Sequence, residues 1–141
     1  MTTATATPLT MTNARTLAQE FGWIVYTSLT PLGVEYRFTN PMKEGASFYM
    51  RDFREGAPIF EVDGVETENL QDARDFVVAN TDTYPLEEVA DIAAYVRRPK
   101  DARWTTVTGI EPAKNGGHWV VGASLRILVR EDETVYVRLA S

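Results

Sequence analysis

The sequence predicts an α+β fold in a single domain. We expect antiparallel β-sheet at both ends of the chain, one N-terminal helix and a central pair of acidic amphipathic helices. Apolar and polar residues alternate in short runs in the first and last thirds of the chain, as they do in half-buried strands. In the middle third, apolar residues recur every three to four positions, as on one face of a helix. The 141 residues, 44% of them hydrophobic and 24% charged, are enough for one such domain.

The N-terminus is predicted to be a flexible tail over residues 1–12, because it carries no charge and little to bury. Residues 13–141 then form the domain, with a division into sub-halves 13–80 and 84–141 left open. The first helix is predicted from Asn13 to Phe21. Thr12 or Asn13 would cap it, and Gly22 would end it in the left-handed conformation that glycine adopts easily.

Three strands are predicted to follow this helix, at residues 23–29, 34–39 and 46–51. When the apolar faces of the second and third strands are matched, Phe38 lies opposite Phe48. The same register places Glu35 opposite Arg51, which is a favourable cross-strand pair. The polar face of this hairpin is therefore explained without a ligand. A further short hairpin is predicted to turn at Asp63-Gly64.

Two helices are predicted in the centre of the chain. Thr67 would cap the first, which runs to about Ala79, and Pro85 suits the first position of the second, which runs to Arg97 or Arg98. Each places its apolar residues on one face and its acidic residues on the opposite face. A short connection would make the two helices neighbours.

Three strands are predicted to complete the chain, at residues 103–110, 118–130 and 133–140. Matching the apolar faces of the last two places Arg126 directly opposite Arg138, and two like charges in that position are unfavourable. An anion is therefore expected nearby, either Glu111 or the acidic helices within the chain, or a phosphate or acidic protein from outside. The alternative is that an internal counterion suffices or that the two side chains splay into water. Residues 114–119 contain two glycines and the only histidine, and we interpret them as a hairpin turn. The predicted surface for an anion or partner consists of Arg126, Arg130, Tyr136 and Arg138.

The charge distribution is the strongest functional signal. Residues 55–91 contain eleven acidic residues and one base, Arg74, and so carry a net charge of −10; this segment is called the acidic belt below. The remaining residues hold nine acids and thirteen bases, a net charge of +4. Such an excess of acidic over basic residues suggests that the acidic belt binds a basic partner. The alternative is that these acids lie on helix faces that are simply exposed to solvent. On the predicted helices, the partner-binding acidic face consists of Glu68, Asp72, Asp75, Glu87, Glu88 and Asp91.

Several classes of function are disfavoured by composition. The chain has no cysteine, which excludes disulfides, thiolate nucleophiles and cysteine-ligated metal sites. It has no apolar run long enough to span a membrane and no signal-peptide pattern, so we expect a cytoplasmic protein. No catalytic residue and no cofactor is predicted. Direct binding of nucleic acid is not expected, because the acidic belt would repel phosphates.

The sequence therefore predicts a small, acidic, non-enzymatic binding or regulatory protein. Its most specific form is a phage or mobile-element accessory protein that inhibits a host protein by docking the acidic face on a basic surface. Two alternatives remain. In the first, the protein is a self-assembling structural subunit, such as a virion component. The acidic belt of one copy would then contact the basic hairpin of the next, which is the predicted pair of C-terminal strands that carries Arg126 and Arg138. In the second, it is a magnesium-dependent enzyme whose weak candidate ligands are Asp72, Asp75, Glu88 and Asp91.

Overall fold

The computed structural model describes residues 7–53 and 55–140. Within them the chain combines three helices with antiparallel β-sheets, which confirms the predicted mixture of helix and antiparallel strand. The chain divides into two compact units, residues 1–81 and 82–141, called unit 1 and unit 2 below. No helix in the described part of the chain has both the length and the apolar character that a membrane span requires.

Unit 1 is a five-stranded antiparallel sheet with a helix at each end of its sequence. Helix α1 spans Met11–Phe21 and helix α2 spans Leu70–Ala79. The strands pair in chain order: β1 Ile24–Thr30, β2 Gly33–Thr39, β3 Ser47–Phe53, β4 Ile59–Val62 and β5 Val65–Thr67.

The start of unit 1 differs from the predicted tail. Helix α1 begins earlier than expected, because the Thr10 side chain accepts a hydrogen bond from the Asn13 backbone N–H at 3.1 Å. Leu9 is buried, and its backbone N–H donates to the Glu68 carbonyl at 2.8 Å. Burial of Leu9 and this backbone pairing hold residues 7–10 against the start of α2. Residues 1–6 of the predicted tail lie outside the described residues.

The register of the second and third strands is confirmed. Phe38 lies opposite Phe48, and their rings stack with centroids 4.5 Å apart and planes 3° from parallel. On the other face of the sheet, Glu35 lies opposite Arg51, and the Arg51 guanidinium donates to Glu35 at 2.9 Å and to Glu61 at 3.0 Å. One face therefore forms the core, and the other carries an internally paired charge network.

Trp23 connects the sheet to helix α2. Its ring centroid lies 6.1 Å from that of Phe48 in β3 and 6.1 Å from that of Phe76 in α2. Its indole N–H donates to the Thr81 hydroxyl at 2.8 Å, just beyond the end of the helix. Packing of Trp23 against Phe48 and Phe76 therefore fixes where α2 lies beside the sheet, and with it the acidic residues that α2 carries.

Within the described residues, unit 2 consists of seven short strands and one short helix: β6 Tyr84–Pro85, α3 Leu86–Val89, β7 Ala93–Arg97, β8 Thr105–Thr106, β9 Gly109–Pro112, β10 His118–Val121, β11 Arg126–Val129 and β12 Thr134–Leu139. The strands form two sheets, ordered β6-β12-β7-β8 and β9-β10-β11. Backbone hydrogen bonds from Val107 N to the Ala94 carbonyl and from Thr108 N to the Val121 carbonyl connect the segment between the two sheets to both of them.

The predicted second acidic helix is wrong for most of its length. Helix α3 ends at Val89, and residues 93–97 form strand β7 instead. This strand pairs with β12 on one side and β8 on the other, and Val96 is fully buried. The backbone bonds to two neighbours and the burial of Val96 outweigh the weak local preference for a helix.

The predicted pairing of the last two strands, residues 118–130 and 133–140, is also wrong. Residues 118–130 form two strands that turn at residues 122–125, and β12 pairs with β7 and β6 rather than with β11. The turn depends on Gly122, because a Cβ atom there would lie 2.9 Å from the Leu125 carbonyl oxygen. Arg138 consequently lies opposite Tyr95, and Arg126 opposite Val121.

Candidate functional site

In unit 1, a cavity of about 800 Å³ lies between the β4–β5 hairpin and helix α2. Four carboxylate side chains line it, and it is called the acidic groove below. Two come from the hairpin and two from the helix: Glu61, Asp63, Asp72 and Asp75.

Local sequence explains how the hairpin side of the groove forms. Val62 pairs with Val65 across a two-residue turn made by Asp63 and Gly64. Both turn residues have positive φ, 52° and 78°, as a twisted two-residue hairpin requires. Asp and Gly tolerate that conformation better than other residues. The turn therefore holds the Asp63 carboxylate at the groove.

The helix side of the groove forms at the first turns of α2. The Asn69 side chain caps this helix by accepting from the Gln71 backbone N–H at 2.9 Å. Asp72 and Asp75 are three positions apart in the helix and therefore share one side. Asp72 also lies in the first turn, where the helix dipole favours negative charge.

Neutral donors orient the two helical carboxylates. The Thr67 hydroxyl donates to Asp72 Oδ2 at 2.5 Å, and the Gln71 side-chain amide donates to Asp75 Oδ1 at 2.7 Å. Neither donor carries a charge, so neither hydrogen bond places a positive group beside these carboxylates. Both side chains are exposed.

Two basic residues of unit 1, Arg51 and Arg74, bind acids other than the aspartates of the groove. Arg51 is held by Glu35 and Glu61, and these hydrogen bonds raise the pKa of its guanidinium. Arg74 is the only base in the acidic belt, but it donates to both carboxylate oxygens of Glu20 in α1, at 2.9 and 3.1 Å. That bond likewise raises the pKa of Arg74. Arg74 therefore offsets an acid outside the belt.

Three carboxylates of the groove form no ion pair with a base in the part of the chain that the structure describes. Among residues 7–53 and 55–140, no ion pair involves Asp63, Asp72 or Asp75, whereas Glu61 is paired with Arg51. Unit 1 also holds most of the net charge, with eleven acids and six bases against nine acids and eight bases in unit 2.

The other predicted acidic residues lie elsewhere. Glu68 borders a separate, smaller cavity of about 430 Å³ in unit 1, which also contacts Glu66. Glu87, Glu88 and Asp91 are exposed residues of unit 2. Asp72 and Asp75 are thus the two members of the predicted acidic face that line the acidic groove.

The predicted basic pair does not exist as a pair. The Arg126 guanidinium lies over the Trp119 ring, 4.4 Å from its centroid, and that of Arg138 lies over Tyr95 at 4.8 Å. These cation–π contacts give each arginine an aromatic neighbour within unit 2. Because the two arginines are not opposed, the reason for expecting an anion between them no longer holds.

The other two residues of that predicted surface take part in local contacts. The ring of Tyr136 lies under the buried Arg97, 4.6 Å from its guanidinium carbon. The backbone N–H of Arg130 donates to the Glu133 carboxylate at 3.0 Å. Neither contact requires a ligand from outside the chain.

The metal-site alternative is not supported by the arrangement of its candidate ligands. Within the described ranges, no group of three or more His, Asp or Glu side chains lies close enough together to hold a metal ion. Asp72 and Asp75 belong to unit 1, whereas Glu88 and Asp91 belong to unit 2. Because α3 ends at Val89, the second pair also lacks the helical spacing on which the alternative depended.

Sequence reasoning missed Glu61 and Asp63 as members of the site. The Asp63-Gly64 turn was recognisable, but the contact between this hairpin and α2 depends on packing between elements that no local pattern encodes. No protein-family model, curated protein or solved structure matches this chain. The candidate site is therefore defined by its geometry and charge alone.

Proposed function

We propose that this protein is a binding protein whose acidic groove docks an arginine- or lysine-rich segment of a partner protein. The observation that carries the proposal is that three carboxylates of the groove form no ion pair among residues 7–53 and 55–140: Asp63, Asp72 and Asp75. A groove of about 800 Å³ has the volume of a typical ligand site and accommodates several side chains.

The chemistry of the groove suits long cationic side chains. A guanidinium has five donors in a plane and matches carboxylate oxygens in pairs. The rings of Tyr49 and Phe76 also line the groove and offer apolar surface to the stems of arginine or lysine. The interaction would be steered by charge and would weaken as salt increases.

In its sharper form, the proposal makes the protein a cytoplasmic inhibitor of the phage-accessory type. The carboxylates of the groove would stand in for phosphates on a host protein that normally binds nucleic acid. The protein and the nucleic acid would then compete for the same basic surface of that host protein.

The two alternative functions lack a supporting observation. Assembly through a basic hairpin required Arg126 to face Arg138, and these residues lie on strands that do not pair. A magnesium-dependent enzyme required carboxylates from two paired helices, and the second of those helices is a single turn.

A labelled deca-arginine peptide provides the test. We expect it to bind the intact protein and to lose roughly two- to thirtyfold in affinity in the D72N/D75N variant, because an exposed ion pair contributes about 0.2–1 kcal/mol. Asparagine keeps the oxygen that accepts from Thr67 or Gln71, so the fold should be unchanged. Fluorescence anisotropy at two salt concentrations measures the affinity.

The matched control is E44Q/D52N, which removes two exposed charges of unit 1 outside the groove. This variant has the same net charge as D72N/D75N and should bind the peptide nearly as well as the wild type. Equal losses in the two variants would show that the peptide senses only net charge, and the groove proposal would then be rejected.

A further inference from the structure

Strand β1 forms an open edge of the sheet in unit 1. It is seven residues long, Ile24–Thr30, and among the described residues only β2 pairs with it. Every second residue of an antiparallel edge strand directs its backbone N–H and C=O away from its neighbour. The outer side of β1 therefore presents a row of backbone donors and acceptors to solvent.

The other edge strands of the described sheets are protected in ways that β1 is not. They are two to four residues long, and β5 and β11 each carry a charge, Glu66 and Arg126 respectively. Charge, proline, a bulge or short length normally prevents an edge from pairing with another strand. Strand β1 contains no charge and no proline, and its pairing with β2 is unbroken.

The side chains of β1 leave this edge open. Tyr26, Thr27, Ser28 and Leu29 are all exposed, and Leu29 retains 85% of its accessible surface. Leu29 lies on the same face of the strand as Val25, because alternate residues of a strand share a face. An added strand would therefore gain both backbone hydrogen bonds and apolar contact.

We propose that β1 pairs with β1 of a second copy of this chain, antiparallel and about a two-fold axis at Thr27. This register opposes Thr27 to its own equivalent and Val25 to Leu29 of the second copy. Tyr26 then lies opposite Ser28. All seven residues are paired, and the two five-stranded sheets become one continuous sheet across the dimer.

A second copy fits this edge better than a different protein. A closed two-fold interface must be self-complementary. The proposed register meets this requirement, because the exposed Leu29 of each copy packs against Val25 of the other. No like charges are opposed, because the strand has none. An uncharged edge also has no means of selecting the basic partner proposed for the acidic groove, so the two surfaces serve different contacts.

The absence of cysteine allows a direct test by disulfide trapping in the full chain. In an antiparallel pair, opposed Cα atoms lie about 4.5–5.5 Å apart, which is within the range that a disulfide spans. Thr27→Cys should therefore form a disulfide dimer under mild oxidation, with twice the 15.8 kDa mass of the chain. The matched control is Val65→Cys, also exposed and on the opposite edge of the same sheet, which should form no disulfide-linked dimer.

A second pair of variants tests the same contact without a covalent bond. Thr27→Lys places two lysines together at the axis and should convert dimer to monomer in light scattering, whereas Val65→Lys adds the same charge and should leave the dimer intact. The proposal is overturned if Thr27→Cys forms its disulfide no faster than Val65→Cys. It is also overturned if the wild type and Thr27→Lys have the same molecular mass in light scattering at every protein concentration. A strand from a different protein on β1 would give that result. Because Thr27 is not part of the acidic groove, such a failure would leave the proposed function untouched.

Discussion

At the scale of single residues, the partners of Arg51 and Arg74 determine which carboxylates of unit 1 have a base beside them. Arg51 binds Glu35 and Glu61, and Arg74 of helix α2 binds Glu20 of helix α1. Within the described residues, these pairings leave Asp63, Asp72 and Asp75 without an ion pair.

Glu133 provides a test of the charge pairing by pH. Its carboxylate accepts from the Arg130 backbone N–H at 3.0 Å and lies 3.3 Å from the Lys100 ammonium, and the backbone hydrogen bond is the main cause of its lowered pKa. Because this pKa is lowered in the folded protein, the ionised Glu133 stabilises the folded state at pH values above the ordinary glutamate pKa of 4.5. This stabilisation is lost as the pH falls through the lowered pKa.

We therefore expect Glu133→Gln to reduce the free energy of unfolding at neutral pH by at most about 1 kcal/mol, since the contact is partly exposed. The difference from the wild type should shrink as Glu133 is protonated and vanish at an acidic pH below the lowered pKa of Glu133. Urea unfolding at both pH values measures it. A difference that does not change with pH would mean that the contact acts through packing and not through charge.

At the scale of elements, the sequence predicted the first sheet well because its signals are local. Alternating residues defined the strands, and matching their apolar faces gave the pairing of Phe38 with Phe48. Strand β7 could not be predicted in the same way. Its strand conformation depends on β12, from the far end of the chain, and a short apolar run such as Ala93–Arg97 is ambiguous without that partner.

The turn between β9 and β10 tests the role of close backbone packing. Gly116 and Gly117 have nearly equal positive φ, 82° and 80°. A Cβ at Gly117 would lie 2.5 Å from the Val129 carbonyl oxygen, whereas one at Gly116 would meet only the movable Glu131 carboxylate. Both alanine variants carry the conformational strain, but Gly117→Ala adds a clash with backbone.

We expect Gly117→Ala to be less stable than Gly116→Ala by about 1–3 kcal/mol, the usual cost of overpacking. Because the two glycines share one turn and one φ, Gly116→Ala is the control for strain. Thermal or chemical unfolding of the two variants measures the difference. Equal stabilities would show that β11 can move aside and that the tight approach is unimportant.

At the scale of the whole molecule, most of the excess of acidic over basic residues lies in unit 1. Unit 1 has five more acids than bases, and unit 2 has one more. Helical spacing in the sequence identified Asp72 and Asp75, which do line the acidic groove. It could not identify Glu61 and Asp63, because the approach of a hairpin to a helix is a property of the folded unit.

The central claim is that the acidic groove of unit 1, and not the total acidity of the chain, binds a basic partner. The most direct measurement compares the affinity of a labelled deca-arginine peptide for D72N/D75N and for E87Q/E88Q, which removes the same charge from unit 2. We predict a loss of affinity for D72N/D75N and nearly wild-type affinity for E87Q/E88Q. An equal loss in both variants, or a loss only in E87Q/E88Q, would contradict the claim.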